Sequence, residues 1–99
     1  MAAGQITGGE VAMARVLMYT TASCPFCISA ERLLLSRGVT DIQKIRVDLE
    51  PELRIKMMEK TGRRTVPQIY IGEQHVGGFE DLRALDMAGE LEPLLAAEV

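Results

Sequence analysis

The chain has 99 residues, 47% of them hydrophobic and 25% charged, and its 11 basic side chains against 14 acidic ones leave a net charge of −3. That is enough apolar material for one packed domain and too little chain for two. The acidic balance leaves no cation excess to neutralise a nucleic-acid backbone, and the apolar runs fall far short of the roughly 18–20 residues a membrane-crossing helix needs. Neither nucleic acid nor membrane is an expected partner.

Residues 1–13 are Gly-rich and aperiodic, with no basic flank and no hydrophobic block. They read as a flexible tail ahead of a domain at 14–99, not as a targeting peptide, so cytoplasm is the expected compartment. "RVLMYT" (Arg15 to Thr20) is apolar and β-prone, as a buried strand is. A helix follows, with Ser23 or Cys24 at the cap, Pro25 in its first turn, Ile28, Leu34 and Leu35 as the apolar stripe and Gly38 as the stop.

"VTDIQ" reads as a connection into a second strand, in which Ile45, Val47 and Leu49 alternate with Lys44, Arg46 and Asp48. Pro51 opens a second helix with Leu53, Met57 and Met58 inward and Gly62 at its end. "PQIYIG" and "HVGG" flank a Glu73-Gln74 turn, a hairpin signal, and "EDLRALDMAG" and "ELEPLLAA" are helical. The order is β-α-β-α-β-β-α plus a short C-terminal helix. An α/β fold with a four-stranded mixed sheet flanked by helices accommodates it.

The only two cysteines, Cys24 and Cys27, stand in "TTASCPFC". They could be a structural clamp, half of a metal site or a redox couple. Bridging them closes a trivial loop, and a passive disulfide does not persist in reducing cytoplasm. A zinc site needs four ligands, which one C-x-x-C and a lone His75 do not supply, so no metal is expected. A redox couple fits: residues three apart on a helix differ by about 4.5 Å of rise, within disulfide reach. Cys24 precedes the first helical turn, where unpaired N–H groups and the helix dipole favour an anion. Cys27 lies inside the helix and should be the less exposed. Cys24 is therefore the expected attacking thiolate and Cys27 the resolving thiol.

"CPFC", "TGRRTVPQIYIG" and "HVGGFEDLRALDMAGELEPLL", in this order and spacing, resemble the class I dithiol glutaredoxins of bacterial type, with "CPFC" a variant of the family's C-P-Y-C. The likeness runs from about Arg15 to Leu95. It implies a thioredoxin-like fold, glutathione as electron donor, and a monomeric enzyme. It also implies reduction of protein disulfides and glutathionylated proteins, with ribonucleotide reductase among the candidate partners. By the same resemblance Pro67 is cis and faces the attacking cysteine, and the Val66 backbone pairs with the cysteinyl part of glutathione. Asp81 and the Glu80 amide, after Gly78 and Phe79, receive the γ-glutamyl end, and Arg54 the glycyl carboxylate. Phe26, Arg64 and Thr65 complete the expected glutathione site.

One departure stands out: relatives commonly carry lysine three residues before the first cysteine, where this chain has Thr21. Arg54, with Arg63 or Arg64, would have to supply the missing charge, and weaker glutathione affinity is expected.

Other residues read as ordinary structure. His75 should face solvent in the hairpin, Met57 and Met58 should pack, and Tyr19 and Tyr70 should be core or half-buried strand residues. Arg63 and Arg64 read equally as a solvated pair or as glutathione contacts. Two rivals share the fold: a redoxin fed by thioredoxin reductase, and an iron–sulfur carrier ligated by Cys24 of two chains with two glutathiones. Pro25 and the "GGFED" segment favour the glutathione-dependent reading over the first, and Pro25, where the usual cluster-binding relatives carry a small residue, favours it over the second.

Overall fold

The computed structural model describes residues 14–96, so the expected tail at 1–13 lies outside them. The elements run β1 (Val16–Thr20), α1 (Pro25–Ser36), β2 (Ile42–Arg46), α2 (Pro51–Thr61), β3 (Gln68–Ile71), β4 (Gln74–Gly77), α3 (Phe79–Met87) and α4 (Leu91–Ala96). The strands form one mixed sheet in the order β2-β1-β3-β4. β1 pairs in parallel with β2, Val16 opposite Ile42 through Thr20 opposite Arg46, which requires the crossover that α1 provides. β3 runs antiparallel to both β1 and β4.

Side-chain alternation along the central strands divides the core in two. Val16 and Met18 of β1 and Ile69 and Ile71 of β3 point to one face, where Ala30 and Leu34 of α1, Leu82 of α3, and Leu91 and Leu95 of α4 cover them. Tyr19 and Tyr70 point to the other, packed with Val47 and with Met57 of α2. The two tyrosine rings meet edge to face at 6.5 Å. Arg37, at the C-cap of α1, donates from Nε and Nη2 to the two carboxylate oxygens of Asp86 in α3 at 2.6 and 2.9 Å, pinning these helices together.

Both long helices start at a proline in the first turn, where the missing N–H costs nothing. α2 stops at Gly62, whose φ of +74° lets its amide turn back to the Met58 carbonyl at 2.8 Å.

Several boundaries differ from the sequence expectation. The buried line of α1 is Cys27, Ala30 and Leu34, at i, i+3 and i+7. Ile28 and Leu35 form the next row round the helix and are 50% and 48% exposed. The second strand lies earlier than Ile45, Val47 and Leu49 suggest, taking in Ile42 and Gln43 of the supposed connection. Its extent is set by pairing with the five residues of β1. Val47 is buried just beyond it, with its amide on the Thr20 carbonyl at 3.0 Å, while Leu49 is 66% exposed. The hairpin turns at Gly72-Glu73, and Gln74 is already in β4.

At the end of β4, Gly77 has φ +115°. A Cβ there would collide with the Asp81 carboxylate, whose Cγ would be 2.9 Å away. Only glycine lets Asp81 reach back to the Gly78 amide.

Three stability outcomes follow, all measured by denaturant unfolding. Leu34→Ala should cost about 2–5 kcal/mol as a core cavity, whereas Leu35→Ala, on the exposed row, should stay within about 0.5 kcal/mol. Gly77→Ala should cost about 1–3 kcal/mol for its backbone conformation alone.

Candidate active site

The β1–α1 turn and the turn that precedes β3 meet at one end of the sheet. Cys24 is the N-cap of α1, in extended conformation, and the Cys27 amide donates to its sulfur at 3.1 Å. Cys24 and Cys27 are joined as a disulfide, with Cα atoms 5.1 Å apart. The expected contrast in exposure between them is small, since Cys24 is 8% and Cys27 4% exposed. What separates them is bonding: only the Cys24 sulfur receives a helix-terminal N–H, which favours negative charge on that atom once the disulfide opens.

The Val66–Pro67 peptide is cis, and the Cys24 sulfur lies 3.8 Å from the Val66 carbonyl oxygen. The loop that carries these residues is built from α2. Thr61 Oγ1 donates to the Met57 carbonyl at 2.8 Å and accepts the Arg63 amide at 3.0 Å, so the chain leaves the helix in a defined direction. Arg54 Nη1 donates to the Arg64 carbonyl at 2.8 Å. Arg54 is thus within reach of the loop, with part of its donor capacity already used.

On the other flank, the Gly78 amide donates to Asp81 Oδ2 at 2.9 Å, the reach from the third helical residue to the cap residue found in capping boxes. Arg63 Nη1 pairs with the same oxygen at 3.0 Å. The Gly78 amide first, and Arg63 second, hold the Asp81 carboxyl below its usual range. Gly78 also abuts Pro67, whose carbonyl oxygen would lie 3.5 Å from a Cβ on the glycine. Glu80 is exposed beside Arg83, at 3.8 Å. Phe26, 58% exposed, stacks on Phe79 at 6.3 Å between ring centroids, making an aromatic ledge beside Cys24.

Thus Cys24, Cys27, Val66, Pro67, Gly78, Asp81 and Arg63 form one connected group, with Phe26 and Phe79 on its rim and Arg54, Arg64 and Thr65 along the loop. Thr21 sits half-buried just after β1. The next residue in the turn, Ala22, donates its amide to Asp48 Oδ2 at 3.3 Å, and Arg46 grips both oxygens of Asp48 at 2.7 Å. The Arg46 guanidinium holds the Asp48 carboxyl far below the ordinary carboxylate range. This clamp was not anticipated from the sequence, where Arg46 and Asp48 read only as the polar face of a strand.

His75 departs from expectation too. It is half-buried rather than solvent-facing, stacked on Tyr70 at 5.0 Å with Nε2 2.8 Å from Gln68 Oε1. Its strand places it directly opposite Tyr70, on the face covered by α2. A "QH" pair two residues after a hairpin glycine gives no such signal by itself.

Among the described residues no group of three or more His, Cys, Asp or Glu side chains could hold a metal ion, and no helix is long and apolar enough to cross a membrane. A concavity of about 820 Å³ lies at the opposite end of the sheet, lined by Arg15, Leu17, Lys60 and Tyr70 among others. It contains none of the thiol chemistry.

Residues 16–76 match the family model for glutaredoxin. A glutaredoxin of Pseudomonas aeruginosa is 55% identical over 85 residues, covering 86% of this chain and all of the relative. The solution structure of a Brucella melitensis glutaredoxin superposes with a TM-score of 0.75 at 44% identity, covering 90% of this chain and 95% of that one. The crystal structure of a buckwheat glutaredoxin–glutathione complex does so at 0.76 and 27% identity, over 83% and 76%. With these likenesses spanning the dithiol helix, the cis-proline loop and the sheet between them, the chain belongs to the glutaredoxins, oxidoreductases of the thiol–disulfide type.

Proposed function

We propose that the chain uses glutathione to reduce glutathionylated proteins and protein disulfides. The observation that carries this reading is the Cys24 sulfur, served by the Cys27 amide at 3.1 Å and facing the Val66 carbonyl at 3.8 Å. A nucleophile placed against exposed backbone groups suits a short peptide thiol laid alongside them as an added strand. The buckwheat complex holds glutathione on the same fold, which supports the same ligand here.

In the first half-reaction the Cys24 thiolate attacks the glutathione sulfur of a protein–glutathione disulfide. The old S–S bond breaks, the protein leaves as a thiolate that takes up a proton, and Cys24 is left glutathionylated. The thiolate of a second glutathione attacks the glutathione sulfur on Cys24, producing oxidised glutathione and returning Cys24 as a thiolate. The same N–H that favours the attacking anion also makes Cys24 a good leaving group in this step. For a protein disulfide, Cys24 attacks one sulfur and the Cys27 thiolate then attacks Cys24. This releases the reduced protein and leaves the Cys24–Cys27 disulfide, which two glutathiones reduce.

The ionic surroundings bear on affinity. Glutathione carries two carboxylates and one ammonium near neutrality. Arg63 is paired with Asp81 and Arg46 with Asp48, so the net positive charge for those carboxylates falls to Arg54 and Arg64. Thr21 adds none.

Two outcomes test the reading. Cys24→Ser should abolish reduction of both substrate types, while Cys27→Ser should lose protein-disulfide reduction and keep deglutathionylation; the two activities are followed by coupling oxidised glutathione to NADPH consumption. Thr21→Lys should lower the KM for glutathione about two- to fivefold, as expected for one exposed ion pair of about 0.4–1 kcal/mol, and the gain should shrink as salt is added.

A further inference from the structure

Gln68 is the first residue of β3, next after Pro67, and its side chain is fully buried at 0% exposed. A buried amide must have both ends satisfied. Its Nε2 lies 3.0 Å from the Thr65 carbonyl and 3.4 Å from Thr65 Oγ1. A carbonyl only accepts, so the NH2 end must face Thr65 and the oxygen end must face His75 Nε2, at 2.8 Å. His75 Nε2 therefore carries a proton and donates. The imidazole is held for this by its stack on Tyr70 at 5.0 Å and by the strand register that sets the two residues opposite each other.

We propose that His75 is a positioning residue, which through the Gln68 side chain holds the Thr65–Val66 backbone in the orientation that receives a substrate peptide beside Cys24. The path is short: His75 to Gln68, Gln68 to Thr65, Thr65 to its neighbour Val66, and the Val66 carbonyl to the Cys24 sulfur. Without a donor at position 75, Gln68 Oε1 becomes a buried acceptor with no partner. Turning the amide to satisfy it elsewhere would give up Thr65.

The charges of Arg63 and Asp81 act on the ring through space, and it lies against Tyr70, which in turn carries Lys60 over its ring at 4.4 Å. Burial first, then Arg63, hold the imidazole below its ordinary pKa, while Asp81 opposes them. Both the neutral Nε2–H form and the imidazolium donate to Gln68, so the hold does not depend on the charge of the ring.

This inference rests on the reading that substrates dock on the Val66 backbone, and its test separates the two. His75→Phe keeps an aromatic ring for Tyr70 and removes the donor; His75→Gln removes the ring and supplies an N–H at similar reach. In His75→Phe, the 15N order parameters of Thr65 and Val66 should fall from a rigid value near 0.85 to below about 0.7. The KM for a glutathionylated peptide should rise about fivefold with kcat little changed. His75→Gln should match wild type in both. Gln68→Met, which removes both arms of the hold, should reproduce His75→Phe and serves if that variant does not fold. The proposal fails if Thr65 and Val66 stay ordered in His75→Phe and Gln68→Met, or if His75→Gln shows the loss and His75→Phe does not, which would assign the effect to ring packing. Lack of turnover by wild type would refute the substrate reading alone, since the order parameters report the hold without substrate.

Discussion

Everything chemical in this molecule depends on two turns that meet at one end of the sheet. The turn after β1 presents the Cys24 sulfur at the start of α1, and the turn before β3 presents the Val66 carbonyl 3.8 Å away. Neither turn is close to the other in sequence. They are held together because β1 and β3 are hydrogen-bonded neighbours, with Tyr19 opposite Gln68 and Val16 opposite Ile71. The sheet, buried on both faces by separate apolar clusters, is the rigid part that keeps a sulfur and a strip of backbone at a fixed spacing.

Around that spacing the polar groups are largely spoken for. Asp81 caps α3 and draws in Arg63, Asp48 holds the Ala22 amide and is gripped by Arg46, and Gln68 links His75 to Thr65. Each of these ties a loop to a neighbouring element close to the cysteines. The exposed pairs add little to global stability. Their effect is local, because they fix loops that would otherwise be free to move relative to the sulfur. Of the four arginines near the cysteines, Arg63 and Arg46 already hold an anion, so under the proposed function a ligand with two carboxylates is left Arg54 and Arg64, and a single residue such as Thr21 would matter to affinity.

Sequence reasoning reached the element order and the place of the cysteine pair at a helix start because each depends on local chemistry. Proline in a first turn, glycine after a last one and a cysteine at a cap can all be read without knowing the partner. It failed where a partner decides. Ile28 and Leu35 are as apolar as Leu34, yet the helix turns them outward because α3 and the sheet contact the adjacent row. Leu49 fits the alternation of a strand, but β1 ends before it and leaves it nothing to pair with. His75 lacks any motif that could mark it, and acquires its role only when the hairpin folds it over Tyr70 and Gln68.

Residue order alone determined that this is a small α/β protein with a redox-capable cysteine pair at a helix start, because helix capping and cysteine spacing act over a few residues. The tertiary structure decided which backbone the sulfur faces, which arginines are neutralised and which buried amide needs a histidine. Those relations join Cys24 to Val66, Arg63 to Asp81 and His75 to Gln68, pairs that become neighbours only when the strands assemble.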